Sequence, residues 1–351
     1  MITDIAISRF RCFEQITISD CRRINVLVGD NGSGKTALLE ALFLTLSSGV
    51  EPSVRLRNMR GGLPLSFSAT TRDVEEAIWR DYFHQMDWSR DIGIRLSGQG
   101  AAGRSLRISR GPGTIEMLPA TGGGEGASRS FSLSFTWTNA SGASFTATAE
   151  VGGQGALRLP GTGEDLPDFF FLPAGPQLSP VDAAGHFSAL RRAGREKEFI
   201  TSLRAEYPWI DDLSIEVAGG APQIFARVEG LGQPISLSSI SGGINRSVGL
   251  MLHIAARNGA VVLVDEIEGG LHHSHQAGLW RSVLRFARAF DCQLFVTTHS
   301  EEWLEALVAA AGDALDDIAL WRLERGATGP VVRQFSGAGL RAGIETGGEV
   351  R

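Results

Sequence analysis

The sequence predicts an α/β fold, a mixed sheet flanked by helices with an antiparallel β-rich layer inserted in it. Three observations predict it. The octapeptide Gly29-Asp30-Asn31-Gly32-Ser33-Gly34-Lys35-Thr36 fits Gly-x-x-x-x-Gly-Lys-Ser/Thr and lies between an apolar run, Ile24 to Val28, and a helix-like run, Ala37 to Leu46. Further along, the strand-like segments Val261 to Val264 and Leu294 to Thr297 flank a helical stretch, His273 to Phe290, the βαβ pattern of a parallel sheet. Between these regions, Ile92 to Leu159 breaks into short β-prone runs separated by glycine.

The octapeptide reads as a phosphate-binding loop. Gly29, Gly32 and Gly34 let the backbone curl until several N–H groups face one point, with Asn31 and Ser33 between them, and the following helix directs its positive end there. Lys35 can reach the outer phosphates, and Thr36 supplies a hydroxyl for Mg²⁺. Four such fixed positions recur by accident in about one chain in a hundred of this length. Lysine usage sharpens the signal, because the chain has only two, Lys35 and Lys197.

A chain of 351 residues can bury a substantial core in one large domain or two smaller ones. No apolar stretch approaches a membrane span, and Met1-Ile2-Thr3-Asp4-Ile5 lacks the regions of a signal peptide, so a cytoplasmic location is expected. The cysteines Cys12, Cys21 and Cys292 have no ligand-like spacing. A net charge of −6 does not indicate a surface devoted to nucleic acid, although local basic patches leave it possible. Arg281, Arg285 and Arg288, and separately Arg191, Arg192 and Arg195, share helix faces that read as solvated.

The elements follow in order. Strand, turn, strand, phosphate loop and helix occupy the first fifty residues, Glu51 to Gly62 reads as loop, and Val74 to Trp88 has helical spacing. Strands are expected at Ile92 to Leu96, Ser105 to Ser109, Thr114 to Leu118, Ser130 to Thr138 and Ser144 to Val151, with Gly122 to Gly126 as a flexible link. An apolar strand, Phe169 to Leu172, precedes a loop holding Gln177, and helices follow near Ala183 to Arg192 and Glu196 to Tyr207. Short strands run to about Ile235, a helix spans Ser247 to Ala256, and a strand pair, Ile318 to Leu323 with Val331 to Phe335, lies near the end.

Asp265 and Glu266 stand at the carboxyl end of the apolar strand Val261 to Val264, the edge of an open α/β sheet where ligands bind. An Asp there can hold Mg²⁺ through water, and an adjacent Glu can orient and deprotonate an attacking water. Lys35 and Asp265 are 230 positions apart, which expects an insertion between two parts of one site. Ser241-Gly242-Gly243 opens a helix with a second anion-binding arrangement, and Thr297-Thr298-His299-Ser300 ends a strand with a histidine at the same edge.

With these elements the chain resembles the ABC-class P-loop ATPases, and specifically their RecF, SMC and OLD branch. Ser241 to Gly243 match the signature motif, Asp265 and Glu266 the Walker B pair, and His299 the switch histidine. The segments Ile7 to Phe13, Val28 to Leu39, Asp265 to His272 and Thr297 to Ser300 look especially like OLD-type ATPases. The resemblance implies an ATPase using ATP and Mg²⁺, with a helical signature lobe, a head of residues 1–60 and 168–351, and an inserted subdomain of residues 61–167. It implies that Lys35 and the loop amides bind the phosphates, Thr36 and Asp265 hold Mg²⁺, Glu266 polarises water and His299 senses the γ-phosphate. Gln177 would be the Q-loop glutamine, and Arg9 or Arg11 would lie near the nucleotide. Ser241, Gly242 and Gly243 would contact nucleotide on a second subunit, which implies a homodimer closed around ATP.

The chain departs from the family at Ile244, where glutamine is common, and at His272, where the D-loop usually has aspartate. A zinc reading of His272, His273 and His275 lacks a nearby cysteine or further ligand. Full-length OLD proteins continue into a TOPRIM nuclease, whereas 51 residues follow Ser300 here, and Asp313, Asp316 and Asp317 read as surface carboxylates. The expectation is a stand-alone ATPase regulating a separately encoded effector, a nuclease in defence against phage. A DNA-binding repair ATPase of RecF type is the alternative, and a transporter subunit fits the motif context less well.

Overall fold

The computed structural model describes residues 1–60, 78–98, 103–111, 115–118, 126–129, 131–151, 157–158, 168–175, 179–269, 271–326 and 329–346. In chain order, β1 (Ile2–Phe10) and β2 (Phe13–Ile18) form a hairpin and β3 (Ile24–Val28) leads into the glycine-rich loop. The β-rich block holds β4 (Ile92–Gly98), β5 (Arg104–Arg110), β6 (Ile115–Leu118), β7 (Gly126–Arg129), β8 (Phe131–Asn139), β9 (Ser144–Val151) and β10 (Leu157–Arg158). After it come β11 (Phe169–Leu172), β12 (Ile210–Ala218), β13 (Ala221–Val228), β14 (Ile235–Ser236), β15 (Val261–Val264), β16 (Gln293–Thr297), β17 (Ile318–Gly326) and β18 (Gly329–Ser336).

By internal contacts the chain divides into two compact units. Met1–Cys21, Asn31–Pro167 and Leu323–Val332 form the first, and Arg22–Asp30, Asp168–Arg322 and Arg333–Arg351 the second.

The first unit is built on an antiparallel sheet of order β10-β9-β8-β5-β4-β1-β2. Because β4 pairs with β1, the glycine-punctuated block continues the sheet that the N-terminal hairpin begins. Alternation places Ile92, Ile94 and Leu96 of β4, Leu106 and Ile108 of β5, and Leu133, Phe135 and Trp137 of β8 in the core. Helix Lys35–Leu46 packs against β1, β4 and β5. Two side chains of the sheet satisfy carbonyls at its C-terminal end, which no intrahelical donor can reach. Trp137 Nε1 donates to Leu44 O at 3.0 Å, and Arg104 Nη2 donates to Ser47 O at 3.1 Å. Burial pushes the Arg104 guanidinium down to about 10.

Two expectations change in this unit. Residues read as loop form a helix, Glu51–Met59, with Pro52 in its first turn, where a missing N–H costs nothing. Tertiary contacts fix that helix, since Trp79 Nε1 donates to Ser53 Oγ at 2.9 Å and Tyr82 OH to Ser53 O at 2.7 Å. The helix expected from Val74 to Trp88 lies partly outside the described residues. Within them the chain makes two short 3₁₀ turns, Arg80–Tyr82 and His84–Met86, broken by left-handed Gln85 and Met86. The aromatic residues there pack singly, Tyr82 on Phe10 and Phe83 on Trp88, rather than as one helical face. Residues 121–125 of the expected glycine link lie outside the described residues.

The second unit centres on a sheet of order β11-β15-β16-β3-β17-β18, with β11 through β17 pairing in parallel. Its central strands are apolar at almost every position because both faces are buried. Helices Gly242–Ala256, Gln276–Ala289 and Glu301–Ala311 pack in succession, and a smaller sheet, β12-β13-β14, is covered by helices Pro180–Arg192 and Glu196–Glu206. The expected helix His273 to Phe290 begins with a tighter 3₁₀ turn, His273–His275. Among the described residues no helix is long and apolar enough to cross a membrane.

Candidate functional site

The phosphate loop takes the shape its glycines permit. Gly29, Gly32 and Gly34 have φ values of 131°, 78° and 108°, a region that side-chain-bearing residues rarely enter. Gly34 is the N-cap of helix Lys35–Leu46 and is also sterically required. A Cβ there would lie 2.6 Å from Phe13 Cζ and 2.9 Å from Cys12 Sγ, so the β1–β2 hairpin packs directly against the loop. Asn31 and Gly32 are exposed, Ser33 and Lys35 are buried, and Thr36 is half-buried. Ser33 Oγ is buried without a hydrogen-bond partner.

Arg11, in the β1–β2 turn, is committed to an ion cluster on the same unit. Its Nε lies 2.6 Å from Glu40 Oε2, its Nη1 2.5 Å from Asp81 Oδ2, and its guanidinium 4.7 Å from the Tyr82 ring centre. Arg60 closes the cluster by donating Nε and Nη2 to the two Glu40 oxygens at 2.6 and 2.8 Å. Burial raises the Glu40 carboxyl above its ordinary range, against the opposing pull of Arg11 and Arg60. The motif reading missed Glu40, although a lone charge inside the apolar run Ala37 to Leu46 was the signal for it.

The carboxylates belong to the second unit. Parallel register aligns Val264 with Val296 and Val296 with Val26, so β15, β16 and β3 end at one sheet edge. Gly29, the pair Asp265-Glu266 and the segment Thr298-His299 all leave the sheet from that edge. Asp265 is buried and its Oδ1 accepts from Thr297 Oγ1 at 2.7 Å. The same hydroxyl oxygen accepts from Glu266 N at 2.8 Å. Glu266 is exposed and left-handed, with φ 49°, a conformation an L-residue holds only under constraint.

Arg246 supplies part of that constraint. Its Nη2 donates to Asp265 O at 2.7 Å and to Glu266 O at 2.9 Å, while Nη1 donates to Pro173 O at 3.3 Å. Arg246 lies in helix Gly242–Ala256, the helix that Ser241 opens by accepting from Ile244 N at 3.5 Å. Ser241 and Gly242 at its tip are exposed, and Gly243 is buried. His299 is half-buried, its N–H donates to Glu268 Oε1 at 2.7 Å, and Ser300 then caps helix Glu301–Ala311.

The structure thus gathers Asp265, Glu266 and His299 at one edge of the second unit, and Gly32, Ser33 and Gly34 of the loop with Lys35 and Thr36 of the following helical turn in the first. Gln177 lies outside the described residues. Arg246, Thr297 and Glu268 acquire positions that the motifs did not assign. His275 is engaged by Glu206, 2.9 Å away, and among the described residues no group of three or more His, Cys, Asp or Glu side chains could hold a metal ion.

Comparison with solved structures bears on the fold. A crystal structure of an SMC head bound to the C-winged helix domain of ScpA superposes with a TM-score of 0.53 at 12% identity, covering 95% of this chain and 98% of that one. The fold is that of an SMC-head, ABC-type P-loop ATPase. Two families match its halves: one described as an AAA domain over residues 4–141, and one described as an AAA domain, putative AbiEii toxin, Type IV TA system, over residues 164–305. The DNA replication and repair protein RecF of Geobacter sulfurreducens is 37% identical over 112 residues, 31% of this chain and 27% of the relative. An ATP/GTP phosphatase of Helicobacter pylori is 28% identical over 88 residues, 24% of each chain. The chain spans about a quarter of the length of these relatives. The chain therefore shares its fold with ABC/SMC-type P-loop ATPases and is similar in sequence to parts of RecF. The loop fits a magnesium nucleotide by its own features: a glycine cradle, a buried lysine at a helix N-terminus and an unsatisfied Ser33 hydroxyl.

Proposed function

We propose that this ATPase is a hydrolysing switch of the OLD-like branch, whose nucleotide-dependent dimerisation regulates a separately encoded effector. The observation that carries the proposal is the shared edge at which β3, β15 and β16 end, because it sends the start of the phosphate loop, two carboxylates and a histidine out of one sheet. In open α/β sheets that edge is where ligands are handled.

In this reading Lys35 and the amides of Gly29, Asn31, Gly32, Ser33 and Gly34 hold the phosphates, and Thr36 and Asp265 hold Mg²⁺, which neutralises charge on the phosphates when bound. Asp265 is oriented by the Thr297 hydroxyl, and exposed Glu266 accepts the proton of an attacking water. His299 senses the γ-phosphate. Gln177 serves as the Q-loop glutamine. Arg11 acts from its cluster with Glu40 and Asp81, holding the hairpin under the loop. Ser241, Gly242 and Gly243 present a helix N-terminus to nucleotide held by a second copy.

The proposal extends to the division of the chain into a head, 1–60 and 168–351, and an insert, 61–167, to the cytoplasmic location, and to an effector that is a nuclease in anti-phage defence. The experiment is sedimentation of the Glu266→Gln variant with magnesium ATP, alongside wild-type turnover over a range of concentrations. A dimer trapped by ATP and turnover per subunit that rises with concentration support the switch. A monomer with concentration-independent turnover excludes it.

The RecF similarity favours a second reading, a DNA-binding repair ATPase. Hydrolysis stimulated by duplex DNA with steep salt dependence selects it, and indifference to DNA selects the effector reading.

A further inference from the structure

We infer that Glu268 is a positioning residue that sets the switch histidine against the catalytic carboxylate pair; the inference rests on the proposed ATPase reading of His299 and Glu266. The need for such a residue comes from the backbone. β15 ends at Val264, and beyond it the chain 265–268 stays beside β16 through Thr297, whose Oγ1 bonds Asp265 Oδ1 and Glu266 N at 2.7 and 2.8 Å and whose carbonyl accepts from Ile267 N at 3.1 Å. It then turns away, with Gly269 N bonding back to Glu266 O and Leu271 N to Glu268 O. His299 is therefore past the last ladder partner, and Ser300 has already begun to cap the next helix.

Glu268 Oε1 accepts from the His299 N–H at 2.7 Å, across 31 residues of sequence. A carboxylate accepting from a backbone N–H is a strong, directional tether. The other oxygen, Oε2, is buried with no hydrogen-bond partner. An unpaired buried acceptor is unfavourable, so burial alone gives no reason for a glutamate here. The Oε1 contact does, because it fixes the residue after Thr298 relative to a turn whose first two residues are Asp265 and Glu266. Glu268 acts through His299 and is assigned no contact with nucleotide.

The test separates the acceptor from the charge. Glu268→Ala removes the acceptor, and Glu268→Gln keeps a carbonyl oxygen in place of Oε1. Steady-state hydrolysis, binding of a fluorescent ATP analogue, and amide hydrogen exchange of the peptide containing His299 in nucleotide-free protein are measured for both. The expected result is a kcat lowered about 100-fold in the alanine variant with KM within about threefold, as for loss of near-attack positioning, faster exchange at His299, and recovery of both readouts by glutamine. Equal loss in the two variants would make the carboxylate a chemical participant and overturn the inference. Unchanged exchange in the alanine variant would overturn it too. A wild-type protein that binds but never hydrolyses ATP counts against the ATPase reading instead, and the exchange result still decides the tether.

Discussion

Arg246 Nη2 donates to the carbonyl oxygens of both Asp265 and Glu266, at 2.7 and 2.9 Å, so a side chain of helix Gly242–Ala256 holds the backbone of the carboxylate pair. Burial lowers the Arg246 guanidinium, and Glu266, Asp265 and Glu268 oppose that shift. Arg246→Ala leaves these carbonyls without their donor and is expected to destabilise the protein by about 2–4 kcal/mol. Arg246→Lys recovers only part of this, because a single ammonium cannot reproduce the planar fork. Urea unfolding of the two variants checks the order, wild type above Lys above Ala.

Gly32 and Gly34 share a left-handed backbone and differ in surroundings. A Cβ at Gly32 meets nothing within 4 Å, whereas one at Gly34 meets Phe13 and Cys12 below 3.0 Å. Gly32→Ala should therefore cost only the backbone strain of roughly 1–2 kcal/mol. Gly34→Ala adds a clash with the hairpin and is expected to cost more and to abolish nucleotide binding. Unfolding of nucleotide-free protein separates the two effects, and equal losses would contradict the packing described.

His253 gives the fold a pH dependence. It packs against His186 and Phe170, and its Nδ1 donates to Gly249 O at 2.8 Å, which requires the proton on that nitrogen. Burial holds it down at about 4, with the Gly249 contact and nearby Asp182 opposing and His186 reinforcing the shift. Because the folded value lies below the ordinary 6.5, the unfolded chain takes up the proton first as pH falls. The stabilisation is complete above pH 6.5 and is lost on acidification toward 4, roughly 2 kcal/mol of it by pH 5. His186 is lowered by burial as well and acts in the same sense. Thermal melts between pH 7 and 5 should show this slope in the wild type and a shallower one in His253→Gln.

Much of this was legible in the sequence because the decisive residues are local. The phosphate loop, the buried strand before Asp265 and the strand before His299 each announce themselves within ten residues, and β11, β15, β16 and β17 fall where the apolar runs lie. What stayed hidden was tertiary. Helix Glu51–Met59 reads as loop because Glu-Pro-Ser looks like a turn until Trp79 and Tyr82 bind Ser53. The 3₁₀ turns around Tyr82 reflect aromatic contacts with distant Phe10. Arg246, Thr297 and Glu268 act across 19 to 32 residues of sequence, a separation that no local pattern encodes.

Glu266 carries the central claim, because it alone of the carboxylate pair is exposed and held in a left-handed conformation. The most direct measurement is single-turnover hydrolysis of magnesium ATP by wild type, Lys35→Ala and Glu266→Gln, with nucleotide binding followed on the same samples. The account predicts that Glu266→Gln binds ATP as tightly as wild type and hydrolyses it at least about 100-fold more slowly, in the range of a lost general base, while Lys35→Ala loses binding. Hydrolysis by Glu266→Gln at the wild-type rate, or wild-type protein that does not bind magnesium ATP, would contradict it.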